Sequence, residues 1–267
     1  MSSRHPLERY FSDDAISDEA LDQLLRQAHA QLEAPMRLIR RSEAAVGITR
    51  SPFGPLLIAV GPNGLLMVHY LKVQSASRGI AVLRLKFDPV EDSQVAEQVG
   101  AQIRRFLAGE RDALGYRADL SLAAGAFQRR ALERLREVPF GAVITYHALA
   151  DAIGAPNSQR AVGNAMAANP IPIYVPCHRV VRSDGVIGHY GGGTKCKVEL
   201  LRTEGFAVDN SLKLPGQVVC GHRATKVFCK LDCPAAQHAN PAKMLIFASP
   251  GSALDAGMRA CKVCHPA

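Results

Sequence analysis

The sequence predicts an α/β unit first, a small mixed sheet plus helix, then a mostly α unit built on a helix-turn-helix, and last a small zinc-binding segment. Three observations carry this. Apolar runs at Leu56–Val60 and Leu65–Tyr70 flank a Pro-Asn-Gly turn, as in a strand pair. Residues 146–168 alternate helical stretches with a Gly154-Ala155-Pro156 turn, and a Pro-Cys-His-Arg turn follows eight residues later. Cysteines then fall in two pairs, Cys229/Cys233 and Cys261/Cys264, a spacing that suits a tetrahedral four-thiolate zinc site.

Length and composition permit this plan. A chain of 267 residues with 48% apolar content can bury more than one core. No apolar run approaches the roughly 20 residues of a membrane span, so no membrane partner is expected. The start, MSSRHPLERYFSDD, lacks the apolar core of a secretory signal. Seven cysteines, an odd number and mostly in CxxC-like spacings, point to reduced thiols and metal, and the expected address is cytoplasmic. The net charge of +8 is uneven: residues 1–123 carry 15 basic and 15 acidic side chains, so the excess lies in the second half and suits a polyanion.

Taken in order, residues 1–42 read as a polar arm followed by an amphipathic helix over Asp18–Leu38, with Leu21, Leu24, Leu25, Ala28 and Leu32 at helical spacing. The small α/β domain spans 43–119. It holds the strand pair, a third strand over Ile80–Phe87, and a helix over Glu91–Leu107. Nothing in this domain suggests chemistry of its own. Residues 120–207 form a second, mostly helical domain. Its first helix buries Phe127, Ala131, Leu132 and Leu135, and the helix-turn-helix follows as Tyr146–Ile153 and Ser158–Ala168. Ser158 is placed as the N-cap, and Ala161, Gly163, Ala165, Ala167 and Ala168 leave a face that a partner can approach closely. A last helix covers Lys195–Leu201. Asp209–Gln217 has a linker composition, and the cysteine-rich segment completes 208–267.

The chemistry concentrates in IYVPCHRVVRSDGVIGHYGGG, Ile173 to Gly193. Pro176 has a fixed φ and no N–H, so it ends strand pairing and holds Cys177 in a turn. His178 and Arg179 supply a base and a fixed positive charge, which would favour the nucleophilic thiolate. Ser183-Asp184-Gly185 is a turn signal, and Gly191-Gly192-Gly193 allows close backbone approach.

The run Pro176-Cys177-His178-Arg179-Val180 resembles the signature of the O6-alkylguanine-DNA alkyltransferases, also called methylated-DNA–protein-cysteine methyltransferases, and the resemblance extends from about Val46 to Phe206. It implies direct-reversal DNA repair. An alkyl group passes irreversibly from O6-alkylguanine, or O4-alkylthymine, in double-stranded DNA to Cys177, once per molecule, by a monomer that needs no cofactor for the transfer. By the same resemblance His178 takes the thiol proton through water, Glu204 orients His178, Asn169 steadies the turn and Tyr146 assists the leaving oxygen. The second helix enters the minor groove, with Arg160 filling the space of the flipped base and Ser158, Ala161, Gly163 and Arg182 at the DNA. Val175, Ser183, Tyr190 and Gly191 hold the extruded base. The family usually has Trp where Leu132 stands, which implies a local packing change.

The segment KVFCKLDCPAA…MLIFASPGSALDAGMRACKVCHP resembles the zinc domain of Ada-type DNA repair proteins. That implies Zn²⁺ on Cys229, Cys233, Cys261 and Cys264, with Cys229 at the position that accepts methyl groups from DNA phosphotriesters. A second acceptor at Cys229, zinc that merely folds the tail, and a damage sensor or regulator therefore all remain open. So does a thiol hydrolase using Cys177 and His178, although adjacent side chains seldom converge on one substrate.

Overall fold

The computed structural model describes residues 41–214, 218–240 and 243–266. The helix expected over Asp18–Leu38 lies outside the described residues.

Strands β1 (Ser42–Ser51), β2 (Gly54–Gly61) and β3 (Gly64–Tyr70) form an antiparallel meander, with the expected Pro-Asn-Gly turn between β2 and β3. The third strand expected over Ile80–Phe87 is instead mostly helix, α1 (Ala76–Arg84). Its apolar residues alternate, yet only Gly79 and Leu83 are buried, four residues apart on one helical face. Ser75 caps it by accepting from the Arg78 N–H. The fourth strand is β4 (Phe87–Glu91), parallel to β1, giving the order β3-β2-β1-β4. Helix α2 (Ser93–Leu107) covers the sheet with Ala96, Val99, Ile103 and Phe106, its N-terminus capped by Asp92. The outer edge of β3 meets the second domain where the Val68 N–H donates to the Pro170 carbonyl.

The second domain opens with α3 (Ala126–Leu135), which buries Ala131, Leu132 and Leu135, so leucine fills its position in the core. Strand β5 (Ala142–Thr145) leads into α4 (Tyr146–Ala152), capped by the Thr145 hydroxyl, and then α5 (Gln159–Ala167). Ser158 occupies the N-cap position of α5 but makes no side-chain cap bond. Gln128 of α3 donates to the carbonyls of Ala165 and Ala168, tying α3 to the end of α5. A short 3₁₀ turn, Cys177–Arg179, runs into β6 (Val180–Val181), parallel to β5, and α6 (Thr194–Thr203) closes the domain.

The cysteine-rich segment consists of β7 (Val219–His222), β8 (Val227–Lys230), α7 (Pro234–Gln237), β9 (Met244–Phe247), α8 (Pro250–Asp255) and β10 (Arg259–Ala260). It does not form a sheet of its own. Strand β9 pairs antiparallel with β5, so one six-stranded sheet runs β10-β8-β7-β9-β5-β6. The described part of the expected linker is a hydrogen-bonded turn, in which the Asp209 carboxylate accepts from the Ser211 and Lys213 N–H groups. No helix among the described residues is long and apolar enough to cross a membrane.

Candidate active site and thiol cluster

Asn169 and the residues after it shape the turn that carries the nucleophile. The Asn169 side-chain amide donates to the Val175 carbonyl at 2.8 Å and to Cys177 Sγ at 3.1 Å, while its oxygen accepts from the Ile171 N–H. Between them, buried Ile173 holds φ at +76°, a costly conformation for a β-branched residue that the surrounding packing imposes. Cys177 is 6% exposed. Burial pushes its thiol pKa up, opposed by the Asn169 hydrogen bond and the positive charge of Lys197.

Behind the thiol lies a sealed ionic group. The His178 ring donates from Nε2 to Glu204 Oε1 at 2.8 Å, with both side chains fully buried. Burial lowers the His178 pKa, while Glu204 works to raise it. Burial alone would raise Glu204, but the His178 and Arg179 charges hold it below the ordinary carboxylate value. His178 Nδ1 is buried without a hydrogen-bond partner, leaving the imidazole one nitrogen free to take a proton. Arg179 does not serve the thiol as expected. It forks onto both Glu204 oxygens at 2.9 Å and donates to the Val138 carbonyl. The cation that acts on Cys177 is Lys197 of α6, fully buried with its ammonium donating to the Val180 carbonyl at 2.7 Å and its pKa pulled down by burial to about 8.

In front of the thiol opens a cleft of about 960 Å³ between α4, α5 and the loop 182–191. Of the expected residues, Tyr146, Arg160, Gly163, Cys177, Arg182, Ser183, Tyr190 and Gly191 line it. Ser158, Ala161 and Val175 do not: Ser158 and Ala161 belong to the start of α5, and Val175 is wholly buried with its carbonyl bonded to Asn169. The Tyr146 ring leans on Gly188, where a Cβ would stand 3.5 Å from the hydroxyl, and φ of +73° favours glycine there. Burial raises the Tyr146 pKa, so the phenol stays protonated and able to donate.

Sequence reasoning missed Lys197 and also Tyr70, whose hydroxyl bonds that of Tyr190 at 2.9 Å. The first domain therefore props up a residue of the cleft. A second, smaller cavity of about 270 Å³ reaches Cys177 from that side.

The four expected metal ligands do converge. The sulfurs of Cys229, Cys233, Cys261 and Cys264 all lie within 4.8 Å of one another. Four sulfurs around one zinc sit about 3.8 Å apart given the usual bond length of roughly 2.3 Å. Backbone N–H groups of Val263 and Lys230 donate to Cys261 and Cys264. Backbone donors hold the Cys261 pKa down at about 7, whereas burial and neighbouring Cys261 push Cys229 up. Without a cation the four thiols cannot all ionise together; a divalent ion removes that conflict, so the donor set fits zinc. The described cysteines are all free of disulfides.

Comparison with known proteins agrees with both sites. A family model described as "6-O-methylguanine DNA methyltransferase, DNA binding domain" matches residues 126–206. Another, "Metal binding domain of Ada", matches residues 207–267. The methylated-DNA–protein-cysteine methyltransferase of Methanosarcina barkeri is 35% identical over 159 residues, 59% of this chain and 94% of the relative. That of Mycobacterium leprae is 37% identical over 164 residues, 61% of this chain and 94% of the relative. The solved structure of Mycobacterium tuberculosis OGT in complex with DNA is similar at a TM-score of 0.52 and 33% identity, covering 60% of this chain and 92% of that one.

Proposed function

This chain belongs to the methylated-DNA–protein-cysteine methyltransferases, and from that premise we propose that Cys177 accepts the alkyl group from O6 of an alkylated guanine in double-stranded DNA. O4-alkylthymine presents the same chemistry and is a second substrate. The carrying observation is a cysteine on the wall of a cleft with room for an extruded base, backed by an imidazole with a bare nitrogen and a buried carboxylate on the other.

The target base is stacked in the duplex, so it must be extruded into the cleft. Helix α5 lines that cleft with Arg160, which takes the place of the flipped base. Ser183, Tyr190 and Gly191 hold the base, and Arg182 meets a phosphate at the rim. The thiol proton of Cys177 passes through a water to His178 Nδ1, and Glu204 steadies the imidazolium from Nε2. The thiolate attacks the alkyl carbon in line. A C–S bond forms as the C–O6 bond breaks, and its electron pair goes to the guanine oxygen, which the Tyr146 hydroxyl protonates. The thioether is not hydrolysed, so each molecule acts once. Zinc supplies no chemistry to the bonds made and broken in this transfer. A monomer suffices, and reduced thiols fit a cytoplasmic protein.

A second acceptor at Cys229 is favoured by one feature. A cavity of about 250 Å³ is lined by Cys229 and Cys261, two of the four expected ligands. Zinc held by four thiolates has electron-rich sulfurs, and methylating one removes a unit of negative charge.

One experiment addresses both sites: mass spectrometry of the protein after incubation with DNA carrying either lesion. O6-methylguanine DNA should add a single methyl to the peptide containing Cys177, and Cys177→Ser should receive none while still binding DNA. Methyl transfer by Cys177→Ser at the wild-type level would remove the assignment. Methylphosphotriester DNA should label Cys229; an unlabelled Cys229 in zinc-loaded protein makes the metal purely structural.

A further inference from the structure

Two backbone attachments join the residues after Phe206 to the alkyl-transfer machinery. The first is at the cleft loop. Leaving Phe206, the chain turns at Asp209 and runs back along residues 185–187. There the Ile187 N–H donates to the Leu212 carbonyl at 2.9 Å, and the Leu214 N–H donates to the Gly185 carbonyl at 3.0 Å. Arg182 and Ser183 of the cleft wall belong to the same loop, which folds on itself where the Arg182 N–H donates to the Val186 carbonyl.

The second attachment is at Gly141. Its N–H donates to Glu204 Oε2 at 3.2 Å, inside the buried ionic group, while its carbonyl accepts from the Ala248 N–H at 3.0 Å, at the end of β9. Gly141 holds φ at +73°, and a Cβ there would come within 2.8 Å of Ser252 Oγ, so α8 packs directly on this peptide. The same sheet reaches the metal site. β8 carries Cys229, β10 leads into Cys261, and β6 follows directly on the turn of Cys177.

We propose that the zinc segment is a positioning element of the alkyl-transfer site, so that zinc bound 229–264 sets both the order of the cleft loop and the rate at Cys177. The buried cluster around the metal ligands consists of cysteines, so the metal is the tie of β8 and β10 at that end, while Phe228, Leu245 and Phe247 anchor the other side of the segment in the main core. Losing zinc frees the cysteine end of β8 and β10 and slackens the pairing through β7 and β9 toward β5. The hold of β9 on Gly141, the donor to Glu204, then weakens, and residues 185–187 lose support from Ile246, which packs in one cluster with Ile187 and Leu214. The inference rests on the transfer reading for Cys177, and one of its readouts does not depend on that reading.

The test uses the full chain, zinc-loaded, stripped with a chelator, and reloaded. Amide exchange read by mass spectrometry should quicken at least tenfold in peptides covering 140–143 and 185–188 on stripping, and return on adding Zn²⁺. Single-turnover transfer from free O6-benzylguanine should slow at least tenfold in its limiting rate while the final benzylated fraction stays near one. A merely unfolded fraction would lower that final fraction instead. Asp209→Ala, which frees the turn without touching a cysteine, should keep its zinc and raise the O6-benzylguanine concentration at half-maximal rate several-fold, with the limiting rate unchanged. Unchanged exchange at both peptides on stripping overturns the coupling, whether or not the wild type transfers alkyl groups. Equal transfer kinetics for wild type, stripped protein and Asp209→Ala overturn it as well. A wild type that accepts no alkyl group would refute the transfer reading alone.

Discussion

Arg160 stands exposed in the first turn of α5, on the rim of the cleft and without a carboxylate partner among the described ion pairs. A cation so placed is free to enter a stack. Arg160→Ala should therefore slow repair of duplex DNA about tenfold or more, the loss of roughly 1.4 kcal/mol out of an unstacking cost of a few. Transfer from free O6-benzylguanine should hardly change, and equal slowing on both substrates would move Arg160 into the fold or the chemistry. Lys197 tests the other face of the site. Its charge favours the Cys177 thiolate, so Lys197→Met should raise the thiol pKa and displace the pH–rate profile of transfer to higher pH. Each unit of displacement costs about tenfold at neutral pH. Because Lys197 itself titrates at about 8, the deficit should be largest below that pH and narrow above it. An unshifted profile would show that the ammonium serves only its backbone partners, the Val180 and His189 carbonyls. Cys177 and His178 were legible because a Pro-Cys-His-Arg run already joins nucleophile, base and turn; Glu204 lies 26 residues past His178 and was reached only through the family resemblance. Lys197 was not: a lysine on a short amphipathic helix reads as solvated until tertiary closure buries it.

At the level of elements, the helix-turn-helix was readable from its apolar spacing and its Gly-Ala-Pro turn, within a residue or two at each end. The misread stretch at Ile80 shows the limit. Alternation and helical spacing coincide over short apolar runs, and the choice fell to packing of Gly79 and Leu83 on the sheet, which no local pattern contains. The pairing of β9 with β5 was likewise invisible, since partners separated by a hundred residues leave no mark in either strand. Gly141 lies at that seam and can be probed directly. Gly141→Ala should destabilise the protein by about 1–3 kcal/mol, combining a left-handed φ with a contact on Ser252. Adding Ser252→Gly should restore the steric part and leave the backbone part. Thermal melting of the two variants measures the split, and full recovery by Ser252→Gly would mean that the backbone carries no strain.

The molecule as a whole joins a neutral first half to a basic second half, and that division was plain in the charge count. Affinity for DNA should fall steeply with salt, since each phosphate contact contributes a slope of about −0.9 in log K against log salt. Arg182, exposed at the cleft rim and paired with Asp184 at 3.0 Å, is expected to supply one such contact. Arg182→Gln should lower that slope by about one across DNA sequences, as read by fluorescence anisotropy over a series of salt concentrations. An unchanged slope would place Arg182 away from the backbone. The shared sheet also bears on how the protein is made. Strands β5 and β6 leave the ribosome well before β9, which begins at Met244. At 5–20 residues per second the gap from β5 is on the order of 10 s. For that interval the apolar strand Ala142-Val143-Ile144 waits with one side unpaired, open to any other extended chain. Chains that are slow to finish meet this hazard longest.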